Sequence, residues 1–268
     1  MKPSFILLLS IILFSSCTNY QKVSRGVDAG LKYNMAESMY VQGNYKKALK
    51  LMEQIVPVYR GKPEAEKLMY MYANTYFNLE DYYLAGYQFE RFVISYPKSD
   101  SVELAAYKSA VSYYELSPVF SLDQEDTYTG LEKLQAFIDT YPNSEYRIKA
   151  NKNVKELTLK IEKKAIETAK QYNKISDYKS AIASFDNFIS DHPGSVYRKD
   201  AFFGRYSASY NLAIHSVPSK VDKRLMETKE YYDSFVKYFE ESDLMEEVDE
   251  IMIDIDKRLS KTKKETSS

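Results

Sequence analysis

The sequence predicts an all-α fold in which about five helix-turn-helix repeats stack into a superhelix, closed by a C-terminal capping helix. Three observations support this prediction. The 268 residues include only 8 Gly and 8 Pro, so helices meet few interruptions. A phrase of an aromatic residue or His, then Pro, one variable residue and Ser returns three times, as "YPKS", "YPNS" and "HPGS". Small and aromatic residues recur at fixed distances before it, and such a period is typical of repeat proteins.

The first 16 residues have the pattern of a secretory signal peptide. Lys2 provides a positive start, an apolar run follows from Phe5 to Phe14, and the small residues Ser15 and Ser16 come next. The run is too short to cross a bilayer as a stable helix, which takes about 20 residues. We therefore expect residues 1–16 to be removed on export.

Cys17 is the only cysteine, so an exported chain of this sequence can form no intramolecular disulfide. The preceding residues complete "LFSSC", which resembles a bacterial lipobox, and this resemblance implies acyl chains on the sulfur and the amino group of Cys17. Two or more acyl chains hold a protein on a membrane stably. The sequence thus predicts a lipidated linker over residues 17–30 and a chain that is tethered to a membrane without spanning it.

The repeats are defined by their spacing. The series Tyr82, Ala85, Phe89, Phe92, Tyr96, Pro97 and Ser99 matches Tyr178, Ala181, Phe185, Phe188, His192, Pro193 and Ser195 with identical intervals. Two helices approach closely only where small residues lie at their crossing. The small residues expected at these crossings are Ala36, Ala73, Ala110 and Ala169 on the first helices and Ala48, Ala85 and Ala181 on the second.

Turn residues separate the helices. We expect Asn44, Asp81 and Asp177 to supply turn or cap chemistry just before the second helix of their repeats. Pro97, Pro142 and Pro193 should end the second helices because proline lacks the N–H group. Ser99, Ser144 and Ser195 should then cap the helices that follow.

This pattern resembles the tetratricopeptide repeat. The five repeats are predicted at Leu31 to Tyr59, Glu64 to Tyr96, Ser101 to Tyr141, Ile161 to His192 and Lys199 to Phe239, with inserted turns at "SPVFSLDQEDTY" in the third and "HSVPSKVDKR" in the fifth. In the fifth, Ser207 and Tyr210 take the small and aromatic positions. The predicted domains are residues 31–142 for repeats one to three, 143–240 for a long connecting helix with repeats four and five, 241–260 for the capping helix and 261–268 for a disordered tail. The long helix should run from Ser144 to about Tyr172, since no Gly or Pro interrupts it.

The sequence contains little that could support catalysis, and we expect no enzyme activity, no metal and no cofactor. The two histidines are expected at a helix end, for His192, and in a loop, for His215. No phosphate-binding glycine motif or metal-binding spacing is present. The net charge of -1 gives no whole-protein attraction to nucleic acid. Nor does any motif indicate a small-molecule substrate.

The first helices of the repeats are expected to line a peptide-binding groove. The predicted groove residues are Tyr33, Glu37, Tyr40, Tyr70, Asn74, Phe77, Tyr107, Val111 and Tyr114. Tyrosine is favoured in recognition surfaces because it combines a large contact area with a polar tip and few rotatable bonds. The alternative for each single tyrosine is that it only packs against a neighbouring helix.

The lipobox, the five repeats and the segments "NYKKALKLME", "FERFVISYPKS" and "FIDTYPNSEY" resemble the BamD family, the outer-membrane lipoproteins of the β-barrel assembly machinery. The resemblance covers Cys17 to about Phe239. It implies a lipid-anchored protein on the periplasmic face of the bacterial outer membrane. Its implied partners are the barrel-forming subunit with its periplasmic domains, and unfolded outer-membrane protein precursors. By position, the aromatic groove would receive precursors, and the docking residues would be Tyr197, Phe202, Phe203, Arg205, Tyr206 and Tyr210.

Two other functions fit parts of the sequence. One is a different envelope adaptor with the same repeats, for instance one that coordinates cell-wall synthesis. The other is a glycan-binding lipoprotein of a nutrient-uptake system. Sugar platforms are usually rich in Trp, and this chain has no Trp.

Overall fold

The structure, a computed structural model, describes residues 19–266, with side chains described for residues 19–261. The predicted signal peptide and Cys17 lie outside the described residues. No helix within the described part of the chain has the length and apolar character that crossing a membrane requires.

Helices account for all regular structure between residues 19 and 266. Helical residues 19–25 come first. The helices that follow are α1 (Ala29–Val41), α2 (Tyr45–Tyr59), α3 (Ala65–Asn78), α4 (Tyr82–Ser95), α5 (Val102–Glu115), α6 (Glu125–Thr140), α7 (Arg147–Lys174), α8 (Tyr178–Asp191), α9 (Arg198–Ile214), α10 (Pro218–Phe239) and α11 (Met245–Thr266). The predicted all-α class built from helical hairpins is confirmed.

The chain divides into two compact units. The first unit contains the described residues up to Pro118 together with 123–157, and thus the hairpins α1–α2, α3–α4 and α5–α6. The second unit contains residues 119–122 and those from Thr158 onward, and thus α8 to α11. The long helix α7 contributes its residues up to Leu157 to the first unit and the remainder to the second.

The small residues of the repeat lie inside the helical pairs. All seven predicted crossing alanines are at most 2% exposed: Ala36, Ala48, Ala73, Ala85, Ala110, Ala169 and Ala181. Larger side chains fill the space beside them, such as Leu51 and Met52 in the first repeat and Phe89 and Phe92 in the second. The close approach of paired helices at small residues is therefore confirmed.

Glycines add two close contacts that the alanine pattern did not reveal. A Cβ on Gly204 of α9 would lie 2.3 Å from Cζ of Phe185. A Cβ on Gly130 of α6 would lie 3.1 Å from the Tyr113 carbonyl oxygen and 3.0 Å from Cδ1 of Leu157. An added Cβ cannot be accommodated at Gly204 unless the Phe185 ring moves, and at Gly130 it would make unusually tight contacts.

The helix ends agree in part with the predicted capping residues and terminating prolines. The second helices α4, α6 and α8 stop two residues before Pro97, Pro142 and Pro193. Asp81 and Asp177 accept the N–H groups of Leu84 and Ser180 and cap α4 and α8.

Asn44 precedes α2 without a side-chain capping bond, so of its two predicted roles only the turn role is left. The predicted serine caps need correction. Ser99, Ser144 and Ser195 accept N–H groups only two residues onward, at 3.1 Å, so they stabilise the turn ahead of the helix. Short hydroxyl side chains reach the nearby N–H group of such a turn readily.

The C-terminal region differs from the prediction in three places. The predicted small residue of the fifth repeat, Ser207, is only half-buried. The buried residue at this position is Ala208, at 0% exposure, because it lies one helical turn from Gly204 on the face towards α8. The predicted inserted turn is mostly helix, since Pro218 occupies the first turn of α10, where its fixed φ is favourable. Finally, α11 extends to Thr266, beyond the predicted end at Ser260, because no Gly or Pro interrupts it.

Candidate peptide-binding groove

The nine predicted groove residues lie on α1, α3 and α5, the first helices of three successive repeats in the first unit. Asn74 is buried at 7% exposure, and the other eight side chains are half-buried. Each of the three helices contributes three of these residues, spaced one turn apart. The surface they form consists of partly covered side chains held by neighbours.

A hydrogen-bonded row connects the three helices. The Asn74 Nδ2 group on α3 donates to the Tyr40 hydroxyl on α1 at 2.5 Å. The Lys108 ammonium group on α5 donates to Asn74 Oδ1. Both links join residues that are 34 positions apart. The amide of Asn74 therefore bridges its two neighbouring helices and has a defined orientation.

A second link lies beside this row. The Lys67 ammonium group forms an ion pair with the Glu37 carboxylate, which connects α3 to α1. These contacts place Glu37, Tyr40 and Asn74 on one continuous face.

Lys108 is a groove residue that the sequence analysis did not identify. Its ammonium group lies 5.4 Å from the centre of the Phe77 ring, and it forms no ion pair within the described residues. Burial lowers the pKa of this lysine. The sequence does contain a signal for this residue. Tyr40 and Asn74 are 34 positions apart, and the same interval counted onward from Asn74 ends at Lys108.

The tyrosines near the N-terminal end of the face both pack and line the surface. The Tyr33 ring stacks on Tyr59 with centroids 5.2 Å apart. Tyr70 places its ring edge-on to Phe89 and Phe92, at 5.9 and 5.5 Å. Burial raises the pKa of the Tyr70 hydroxyl to about 12. Each of these rings therefore packs against neighbouring residues on one side, as the packing alternative expects, and lines the surface on the other.

The third helix of the face is supported by the start of α7. Tyr107 stacks on Tyr146, with centroids 4.8 Å apart and an angle of 12° between the rings. The Tyr114 hydroxyl donates to Glu156 Oε2 at 2.5 Å. This hydrogen bond, together with burial, raises the pKa of Tyr114 to about 12. Val111 lies half-buried between the two tyrosines in sequence.

Apolar rings and a cationic group lie side by side on this face. Aromatic rings at Tyr70, Phe77 and Tyr107 offer apolar contact, while Lys108 offers a cation with hydrogens beyond the one given to Asn74. Because the side chains are already held, little rotamer entropy is lost when they bind a ligand. No cluster of three or more metal-ligating side chains was found among the described residues.

The predicted docking residues on α9 lie largely inside the second unit. Phe202 is 3% exposed and Tyr206 is 0% exposed, and both pack towards α10 and α11. Tyr206 also donates to the Val248 carbonyl oxygen at 3.2 Å. These two side chains do not form an exposed docking surface, because Tyr238 and Phe239 of α10 pack on Phe202 and Val248 of α11 bonds to Tyr206.

The remaining docking candidates have internal partners as well. The Arg205 guanidinium donates to Asp186 Oδ1 at 2.8 Å, and the Tyr210 hydroxyl donates to Asp254 Oδ2 at 2.6 Å. Phe203 packs edge-on to Phe235, with ring centroids 6.4 Å apart. Tyr197 is half-buried beside the helical pair α8–α9.

The chain is similar to one family of outer membrane lipoproteins and to several proteins that share one name. The family model YfiO, described as an outer membrane lipoprotein, matches residues 28–223. The chain is 22% identical to "Outer membrane protein assembly factor BamD" of Caulobacter vibrioides over 185 residues, which cover 69% of this chain and 61% of that protein. It is 22% identical to the protein of the same name from Rickettsia prowazekii over 188 residues, covering 70% and 75% of the two chains. The Helicobacter pylori protein of that name is 23% identical over 151 residues, covering 53% and 66%.

Among solved structures, the TPR-like repeats of a kinesin light chain from Podosopora anserina align with 88% of this chain and 98% of that one, at 14% identity. The TM-score of that alignment is 0.33. The family match extends over well more than half of the 268 residues. The chain therefore belongs to the YfiO family of outer membrane lipoproteins.

Proposed function

We propose that the protein is a non-enzymatic scaffold lipoprotein of outer-membrane β-barrel assembly. In this function the groove on α1, α3 and α5 binds unfolded barrel precursors, and the second unit binds the barrel-forming subunit. The observation that carries the proposal is the row Tyr40–Asn74–Lys108, which fixes polar groups beside aromatic rings along one face. The relatives named as assembly factors support it.

The proposal includes an anchor and a location. Acyl chains on Cys17 would hold the protein on the periplasmic face of the outer membrane, where the barrels are inserted. Tethering raises the effective concentration of the groove at that surface. Weak binding of each precursor is then sufficient, because many encounters occur at the same place.

The groove would recognise general features of an unfolded barrel strand. Such strands alternate apolar and polar side chains and carry unpaired main-chain carbonyl groups. The rings of Phe77 and Tyr107 would contact alternate apolar side chains, and Lys108 would donate to a carbonyl oxygen. A surface of this kind accepts many sequences, as an assembly factor requires.

The partner-docking surface has a candidate centre at Arg198. Its guanidinium lies between Phe202 and Tyr238, 5.0 and 4.9 Å from the ring centres. Tyr238 is 51% exposed. Arginine held on an exposed tyrosine is typical of residues that contribute strongly to protein interfaces.

The groove can be tested with synthetic peptides copied from the strands of an outer-membrane barrel. We expect Lys108→Met to weaken peptide binding by at least about tenfold, measured by anisotropy of the labelled peptide, because a charged hydrogen bond contributes about 1.5–3 kcal/mol. The matched control is Lys46→Met, which changes an exposed lysine on α2 and should leave binding unchanged. Equal affinities for the wild type and Lys108→Met would contradict the groove.

The cellular function has a separate test. We expect depletion of the protein to lower the levels of outer-membrane barrels and the barrel-forming subunit to co-purify with it. Arg198→Ala combined with Tyr238→Ala should reduce that co-purification, whereas Tyr83→Ala in the first unit, at a residue 69% exposed, should not. Unchanged barrel levels after depletion would remove the assembly function.

A further inference from the structure

We infer that the N-terminal face of the first repeat lies directly on the lipid bilayer. This face is the shallow groove lined by Lys22, Val23, Val27, Leu31 and Met35. The inference rests on the proposed lipid anchor at Cys17 and adds a second, non-covalent contact with the same membrane.

The apolar part of this face is unusually exposed. Val27 is 99% exposed and Leu31 is 56% exposed. Val23 and Met35, four residues before and after this pair, line the same shallow groove. A single exposed apolar residue is common on protein surfaces, but two exposed ones, continued along one groove by the half-buried Val23 and Met35, indicate a surface that is covered in use.

The segment that carries this face is folded against the first repeat. The sequence predicted a linker over residues 17–30, yet residues 19–25 are helical. The Tyr20 hydroxyl donates to the Lys47 carbonyl oxygen at 3.2 Å, and the Lys47 ammonium group lies 5.5 Å from the centre of the Tyr20 ring. The linker prediction therefore needs correction for these residues, because Tyr20 finds packing partners on α2.

The junction with α1 is also defined. The N–H group of Gly26 donates to the carbonyl oxygens of Lys22 and Val23, which ends the first helical segment. Asp28 then caps α1 by accepting the N–H group of Leu31 at 2.9 Å. Val27 thus projects from a short, structured corner between two helical segments.

The anchor brings this corner close to the membrane. Cys17 precedes the first described residue, Asn19, by two positions. Extended residues span at most about 3.6 Å each and helical residues about 1.5 Å each, so Val27 lies within about 25 Å of the acylated sulfur. Because the segment is held on the first repeat, the anchor positions that repeat as well.

The charges near the apolar row favour a lipid surface. Lys22 and Arg25 are exposed, while the Asp28 carboxylate is occupied as a helix cap. Basic residues near an anionic bilayer contribute about 1 kcal/mol each. Exposed apolar side chains beside basic residues are typical of segments that lie in the membrane interface.

The chain contains no Trp, so a single introduced Trp is a specific probe of this face. The experiment uses the full lipidated chain reconstituted into phosphatidylethanolamine and phosphatidylglycerol vesicles, with and without brominated acyl chains as quenchers. We expect the fluorescence of Val27→Trp to be quenched at least about threefold more than that of Ile94→Trp, since interfacial side chains enter the acyl boundary. Ile94 is the matched control, because it is 79% exposed on α4 of the same unit.

The outcomes separate this inference from the anchor and from the groove. If both variants float with the vesicles but are quenched equally, the membrane contact is refuted while the anchor stands. If neither floats, the anchor and the contact both fail, and peptide binding by the groove can still be measured in solution. A concentration-dependent blue shift of Val27→Trp in a Cys17→Ser background without vesicles would assign the face to a second copy of the chain and overturn the inference.

Discussion

The side chain of Asn74 donates to the hydroxyl of Tyr40 across a separation of 34 residues, at 2.5 Å. The same amide accepts from Lys108 on its other side. One buried amide therefore links the first helices of three repeats, and it lies at the centre of the proposed groove. Its two bonds are the most direct structural evidence that these helices share one face.

We expect Asn74→Ala to lower the free energy of unfolding by about 1–3 kcal/mol, because it leaves Tyr40 and Lys108 without a buried partner. Urea denaturation followed by circular dichroism measures this change. The matched control is Asn78→Ala, one turn later on α3, where the exposed side chain donates only to the Asn74 carbonyl oxygen. An equal effect of both substitutions would show that the bridge contributes nothing specific.

Lys108 predicts a particular dependence of stability on pH. Burial holds its pKa below the ordinary value of 10.5, so between the lowered pKa and 10.5 the unfolded chain binds more protons than the folded chain. Stability from this group therefore rises with pH in that window. We expect the stability difference, wild type minus Lys108→Met, to increase as pH rises towards 10.5. A constant difference between pH 7 and 10 would contradict the burial of the ammonium group.

The contact between Gly204 and Phe185 predicts an unusual result for a glycine in a helix. Alanine normally stabilises such a position by up to about 1 kcal/mol. Here the added Cβ would lie 2.3 Å from a buried ring, and overpacking costs about 1–3 kcal/mol. We therefore expect Gly204→Ala to lower the midpoint of thermal unfolding.

Gly194→Ala is the control for this substitution, since nothing lies within 4 Å of its added Cβ. It should change the midpoint by little. If Gly204→Ala were as stable as the wild type, α8 and α9 would not approach each other as closely as the structure shows.

The buried tyrosines predict a delayed alkaline titration. The pKa values of Tyr70, Tyr113 and Tyr114 are raised to about 12, mainly by burial for the first two and by the hydrogen bond to Glu156 for the third. A raised pKa contributes stability that is present below pH 10 and is lost as pH rises towards 12.

We expect absorbance at 295 nm to show part of the tyrosinate signal shifted towards pH 12 in the folded protein. The same titration in guanidinium chloride should be a single step near pH 10. The absence of Trp keeps this signal simple. Superimposable curves in the two solvents would contradict the burial of these hydroxyl groups.

The sequence by itself determined the helical hairpins and their crossings. The intervals between Ala36, Ala48 and the later alanines, and the prolines after the second helices, act within one repeat, where helix periodicity decides which residues meet. For this reason Ala73 and Ala85 are buried where the spacing placed them. The nine groove residues could be placed on the first helices in the same way.

Only the tertiary structure decided which residues of different repeats are in contact, and which residues are buried by segments far along the chain. The pairing of Lys108 with Asn74 depends on the axial offset of α5 against α3, and the 34-residue interval indicates it only once the contact between Tyr40 and Asn74 is known. Phe202 and Tyr206 looked available from their position on α9, but both are buried. Phe202 packs on Tyr238 and Phe239 of α10, and Tyr206 bonds to Val248 of α11, more than 40 residues away. Tyr20 likewise holds residues 19–25 on α2 through a contact 27 residues distant. Burial and pairing over such separations follow from the packed chain, because the free energy of a contact depends on every element that excludes water from it.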